Sequence, residues 1–185
     1  FILNGAECEP YLTCDHRIML EHTREILEGI RLAHAAFGFE RVIVAVEKNK
    51  PDAIEAFRAL AGQVDGLAFE VAALDVLYPQ GAEKMLIRAV TERVVPAGKL
   101  PFEVGVVVAN VQTMFALREA AYLGKPLVER VITVSGAGIS EPKNVRAIVG
   151  TPVSELAEFC GGFSEQTTKV VAGGPMTGMT LPSLD

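Results

Sequence analysis

Two carboxylates, Glu7 and Glu9, stand two residues apart in the stretch Asn4-Gly5-Ala6-Glu7-Cys8-Glu9-Pro10-Tyr11. Acids in a polar loop can do general acid–base work, and the Asn4 amide can read the edge of a heterocycle. Pro10 stiffens the loop. A surface connection with ordinary solvated acids is the competing reading, and the spacing alone does not show a catalytic pair. Hydrolytic chemistry finds less support. No Ser or Cys has an evident His partner, and His16, His22 and His34 all fall in or beside one amphipathic segment, where they read as helix-surface or satisfied core histidines. The three cysteines, Cys8, Cys14 and Cys160, form no Cys-x-x-Cys pair, so the spacing encodes no metal or cluster site. Their odd number suits a reducing compartment better than a disulfide framework.

The elements that position this loop follow from apolar periodicity. Phe1-Ile2-Leu3 is a short strand ahead of it, and Asp15 opens a segment whose Ile18, Met19, His22, Ile26, Ile30 and Ala33 recur at helical spacing. The pattern predicts one long helix from Asp15 to Gly38. Arg41 to Val46 reads as a strand buried on both faces, and Asn49 with Pro51 opens a helix that ends near Gly62. Leu67 to Ala72 is a third strand, Tyr78-Pro79-Gln80-Gly81 a turn, and Ala82 to Glu92 a helix. Val94 to Glu103 reads as loop, Gly105 to Ala109 as a fourth strand, and Val111 to Leu123 as the helix after it. Four strand–helix repeats predict an α/β fold with a doubly wound, mostly parallel sheet.

Beyond Gly124-Lys125-Pro126 the pattern changes. Arg130–Ser135 and Val145–Val149 alternate as strands around the Gly136-Ala137-Gly138 turn, Thr151-Pro152 starts a short helix through Cys160, and Lys169–Ala172 is a returning strand. This predicts a small β-grasp-like unit over 126–185 after a first domain over 1–125.

In a parallel sheet the loops Asn4–Pro10, Tyr78–Lys84 and Ala109–Thr113 share the carboxyl edge, where ligands bind. Together they offer Asn4, Glu7, Glu9, Tyr78, Gly81, Glu83, Asn110 and Thr113. Amides, an aromatic ring and a glycine suit a flat, hydrogen-bonding heterocycle. Each residue also has a plainer reading. Glu83 at a helix start is favoured by the dipole, Tyr78 could be core, and Asn110 could be an ordinary cap.

Composition narrows the partners. The chain has 185 residues, half of them hydrophobic, and 23 acidic against 17 basic side chains give a net charge of −6. That balance argues against a nucleic-acid surface. The apolar runs are too short to span a bilayer, and the sequence shows no signal peptide.

The motifs Asn4-Gly-Ala-Glu-Cys-Glu-Pro-Tyr, Tyr78-Pro-Gln-Gly-Ala-Glu-Lys, Val108-Ala-Asn-Val-Gln-Thr and Gly173-Gly-Pro-Met-Thr-Gly resemble the C subunits of Rnf electron-transport complexes. More distantly the chain is similar to the flavin-bearing, NADH-oxidising subunit of respiratory complex I, and a cobalamin reductase of the propanediol-utilisation type shares the pattern. The resemblance implies a Rossmann-like domain for FMN and NADH, followed by a soluble-ligand-binding β-grasp domain. It puts FMN contacts on Asn4, Glu7, Tyr78, Gly81, Glu83, Asn110 and Thr113, and the nicotinamide side on Glu9 with Glu83. Ala6 and Ala82 stand where the complex I pattern has acids.

The resemblance further implies iron–sulfur clusters in the parent protein, NADH and other subunits of a membrane complex as partners, and a peripheral place on the cytoplasmic face of a bacterial inner membrane. The family's Gly-rich phosphate loop is expected upstream of this sequence and its cysteine-rich region downstream. The chain therefore reads as an excised fragment that holds neither flavin nor cluster by itself. Two functions compete: a subunit passing electrons from NADH through FMN to iron–sulfur centres, and a non-catalytic docking module.

Overall fold

The computed structural model describes residues 1–184. Its first part is one parallel sheet of β1 (Ile2–Gly5), β2 (Ile43–Glu47), β3 (Glu70–Leu74) and β4 (Val108–Asn110), in the order β3-β2-β1-β4. Strand side chains alternate between faces, and the core divides accordingly. Leu3, Val44 and Val46 pack on one side; Ile2, Ile43 and Ala45 pack on the other. Helices cover both faces, which is why β2 reads as an unbroken apolar run.

The direction of each strand step decides where its helix goes. From β1 to β2 to β3 the chain moves one way, with α1 (Cys14–Glu21), α2 (Thr23–Phe37) and α3 (Pro51–Ala59) lining the first face. From β3 it steps back past β2 and β1 to reach β4. A right-handed crossover in that reversed direction lands on the opposite face, where α4 (Glu83–Thr91) buries Leu86 and Ile87. The connection from α4 to β4 includes a 3-10 turn at Pro101–Val104. After β4, α5 (Val111–Leu123) returns to the first face and lies on α2, so close that a Cβ added at Gly29 would sit 1.9 Å from the Met114 carbonyl oxygen.

Three expectations shift. The single helix over 15–38 is two, because His22 (φ −131°, ψ 32°) leaves helical geometry between α1 and α2. The His22 ring stacks on Phe115 at 4.4 Å, and the Thr23 hydroxyl donates to the Met19 carbonyl across the break. The apolar face continues through the break, so periodicity does not register it. The third strand begins at Glu70 rather than Leu67, whose side chain is spent in the core before the sheet starts. The fourth begins at Val108, after Gly105 (φ 70°) has closed the preceding turn.

In the second part, β5 (Glu129–Val134) and β6 (Lys143–Ile148) pair antiparallel, and α6 (Val153–Phe159) packs Ala157 and Leu156 against Ile132, Val134, Ile139 and Val145. The strand expected at 169–172 is the two-residue β7 (Val171–Ala172), and its partner is β8 (Met179–Thr180). Among the described residues no helix is long and apolar enough to cross a membrane.

Candidate functional site

The strand order reverses between β1 and β4, and the crevice at such a switch point is where open α/β sheets take ligands. Asn4 and Asn110 are register partners there, at the carboxyl ends of the two strands. Both amides are engaged. Asn4 Nδ2 donates to the Gly81 carbonyl at 2.9 Å, and its Oδ1 accepts from the Ala6 N–H at 3.1 Å, tying the loop after β1 to the loop after β3. Asn110 Oδ1 caps α5 by accepting from the Gln112 N–H at 2.8 Å, and its Nδ2 donates to Asp15 at 2.6 Å. Gly81 serves the same closure: a Cβ there would lie 2.6 Å from the Ala6 carbonyl oxygen, and its N–H donates to Cys8 Sγ at 3.4 Å.

The two carboxylates of the first loop part company. Glu7 turns to the amino end of α1 and accepts from the N–H groups of Asp15 (2.9 Å) and His16 (3.2 Å), replacing a cap that Thr13 does not provide. Burial pushes the Glu7 carboxyl above the ordinary range, with these two N–H groups opposing. Burial also pushes the Cys14 thiol up to about 11, so it stays protonated, and it lies 3.6 Å from Glu7 Oε1. Glu7, Cys14 and Asp15 bring ligand atoms within 4.8 Å of one another. Each is already partnered, and the group reads as a capping cluster.

Glu9 turns the other way. Its Oε1 accepts from the Tyr78 hydroxyl at 3.2 Å, the Thr177 N–H at 3.0 Å and the Thr177 hydroxyl, and its Oε2 accepts from the Met176 N–H at 3.0 Å. The Thr177 hydroxyl, then the Met176 N–H and the Tyr78 hydroxyl, hold its carboxyl below the ordinary range. The turn between β7 and β8 therefore reaches back onto the first loop.

Glu7, Glu9 and Tyr78 share a cleft of about 490 Å³ with His16, Lys50 and Tyr11. Asn4, Gly81, Glu83, Asn110 and Thr113 do not line it. Glu83 and Thr113 are exposed in the first turns of α4 and α5, on the same edge of the sheet. The expected set thus falls into a cleft group, a switch-point pair with Gly81, and two helix starts.

Sequence reasoning missed several participants. Lys50 and Glu47 form an ion pair at 2.8 Å with 6% and 1% of their surface exposed, and Lys50 Nζ also donates to the Glu7 carbonyl at 3.3 Å. The loop after β2 lies on the same edge as the other three. Its available signal was an acid ending an apolar run, with a lysine three residues on. His16, expected among helix-surface histidines, lines the cleft, 2.8 Å from Asp52. Gln112 clasps the second part: its Oε1 accepts from the Val131 N–H at 3.1 Å, while its Nε2 donates to the Val131 carbonyl at 3.0 Å and to Asp15 at 2.8 Å.

On this edge the Tyr78 ring, whose hydroxyl is held by Glu9, and the exposed Glu83 and Thr113 offer one ring and several polar groups. That set fits the face and rim of a flat heterocycle. It offers less to a phosphate, because Glu7 and Asn110 already cap the two helices that start beside the switch point.

Comparison with known proteins agrees with this architecture. The family model of the Nuo51 FMN-binding domain matches residues 1–119, and that of the SLBB domain matches residues 131–180. The chain is 47% identical over 185 residues to the C subunit of the proton-translocating ferredoxin:NAD(+) oxidoreductase complex of Clostridium ljungdahlii, covering all of this chain and 40% of the relative. It is 47% identical over 184 residues to the C subunit of the ion-translocating oxidoreductase complex of Rhodobacter capsulatus, covering 97% of this chain and 34% of that protein. The Na(+)-translocating counterpart of Acetobacterium woodii is 45% identical, with 97% and 40% covered. The chain thus spans between a third and two fifths of the length of these relatives. A chain of an NAD+-reducing [NiFe]-hydrogenase, solved in the H2-reduced state, superposes with a TM-score of 0.74 over 92% of this chain and 33% of its own, at 20% identity. That structure speaks for the fold. The names of the relatives agree with the resemblance to Rnf C subunits drawn from the four motifs, and the chain belongs to the family of the Nuo51 FMN-binding domain.

Proposed function

We propose that this chain is the nucleotide-facing part of an electron-transport complex subunit that oxidises NADH through FMN and passes the electrons to iron–sulfur clusters elsewhere in the parent protein. The observation that carries this reading is the cleft at the carboxyl edge, where the loops after β1, β2 and β3 meet and the Tyr78 hydroxyl donates to Glu9. FMN, when bound, exchanges a hydride on one side for single electrons on the other. The chain's own residues would bind and orient it: Tyr78, Glu83 and Thr113 would contact the ring, while Asn4, Gly81 and Asn110 tie the loops of this edge and Glu7 fixes α1. Glu9, with Glu83, would hold the nicotinamide side. The parent's partners are NADH and the other subunits of a membrane complex, on whose cytoplasmic face it lies peripherally.

In the full-length parent, Glu9→Gln weakens NADH oxidation while FMN content stays at the wild-type level. A steady-state titration with NADH beside a flavin assay tests this, and unchanged kinetics would remove Glu9 from the nicotinamide side.

A docking module without cofactor is the second reading. It draws support from the engagement of Asn4, Glu7 and Asn110 with protein partners. A flavin titration of the full-length parent separates the two: tight, stoichiometric FMN binding selects the electron-transfer reading, and no binding selects the docking one.

A further inference from the structure

Resting on the placement of Glu9 beside the nicotinamide, we propose that the Gly173–Gly178 turn is part of the nucleotide site, with Thr177 as a positioning residue that presents one defined oxygen of Glu9 to an N–H donor of the substrate. Glu9 and Thr177 are 168 positions apart, and the turn belongs to the β7–β8 hairpin of the second part. Among the described residues the Glu9 side chain bonds to this turn and to Tyr78, and to none of the first loop.

A carboxylate has about four lone-pair sites, two on each oxygen. Oε1 is saturated by the Tyr78 hydroxyl, the Thr177 N–H and the Thr177 hydroxyl, whereas among the described residues Oε2 receives the Met176 N–H alone. The acceptor capacity left for a ligand is therefore on Oε2. Access to it depends on glycine. Gly174 has φ 93°, a conformation side chains rarely take, and a Cβ there would stand 2.6 Å from Glu9 Oε2. Gly178 is equally confined, since its Cβ would meet the Gly174 carbonyl oxygen at 2.3 Å. The turn thus supplies the donors that orient the carboxylate and omits the one atom that would cover its open oxygen. The carboxamide N–H of a nicotinamide is a donor of the class this arrangement accepts.

Two measurements test it. In the 185-residue chain, carbon-13 NMR titration of the Glu9 carboxylate, assigned with Glu9→Gln, should show its pKa moving up toward the ordinary glutamate value in Thr177→Val and returning in Thr177→Ser. This readout is independent of NADH and survives even if the proposed activity fails. In the full-length parent, Thr177→Val should raise KM for NADH roughly threefold to tenfold, the effect of about one hydrogen bond. With kcat little changed, that is the signature of lost uniform binding. Gly174→Ala should raise KM further, and Thr177→Ser should restore it. An unmoved Glu9 titration in Thr177→Val would overturn the proposal. So would a lower KM in either variant, which would make the turn a competitor of the nucleotide.

Discussion

Lys50 Nζ lies 2.8 Å from Glu47 Oε2 with both side chains almost wholly out of water, at the end of the strand that centres the sheet. Two buried charges of opposite sign tolerate each other, but neither tolerates solitude. Lys50→Met leaves Glu47 as an uncompensated anion and should cost about 3–5 kcal/mol in urea unfolding. Adding Glu47→Leu to that variant should recover most of the loss. A single variant as stable as wild type would show that water reaches the pair.

Gly29→Ala tests the contact of α2 with α5. On an isolated helix the change would stabilise by about 1 kcal/mol. Here the new methyl would collide with the Met114 backbone, which has no side-chain freedom to yield. A loss of about 3 kcal/mol in chemical denaturation is expected, and a gain would mean that the two helices lie further apart.

Gln112→Leu removes the amide that grips both backbone groups of Val131 and leaves those groups and Asp15 short of partners. The expected loss is about 2–3 kcal/mol. Because the clasp joins the two parts of the chain, unfolding followed by β5–β6 probes and by α2–α5 probes should separate into two transitions. Coincident transitions with unchanged midpoint would count against the clasp.

The two carboxylates of the first loop should answer acid in opposite ways. Glu9 has a lowered pKa, so what it contributes is present above the ordinary value of 4.5 and is lost as pH falls through its folded value. Glu7 has a raised pKa, so the folded chain binds its proton more tightly than the unfolded chain does. Its contribution is present below 4.5 and declines as pH rises through its folded value. Acidification should therefore move the α1 amide shifts of Asp15 and His16 first, as Glu7 takes up its proton, and those of Met176 and Thr177 only at lower pH, as Glu9 does. Simultaneous movement of both sets would mean global unfolding and would sink the assignment.

What the sequence disclosed depended on distance along the chain. α5 was legible to the residue, because Asn110 caps its start and Gly124 (φ 63°) ends it. The parallel order followed from strand–helix repetition, since handedness leaves few alternatives. The break at His22 was hidden because the apolar face runs through it, and β8 because two residues carry no period. The site was half legible. Residue types marked the carboxyl edge of the sheet as the candidate site but not the partners there: Glu7 found a helix end, Glu9 a turn far downstream, and Asn4 the loop after β3. A side chain's partner across so many residues leaves no mark in local pattern.

The strand order also imposes a timetable. β1, β2 and β3 can zip together as the chain emerges, each step closing a loop around one or two helices. β4 must then cross back to β1, and the Met176–Thr177 turn can reach Glu9 only once residues up to 177 have been made. Loop closure grows costly slowly with length, about 0.6 kcal/mol per doubling, yet such distant pairings slow the search. The hold of the turn on Glu9 is accordingly one of the most distant contacts the chain has to make. Nascent chains still short of residue 176 carry Glu9 without the turn that orients it.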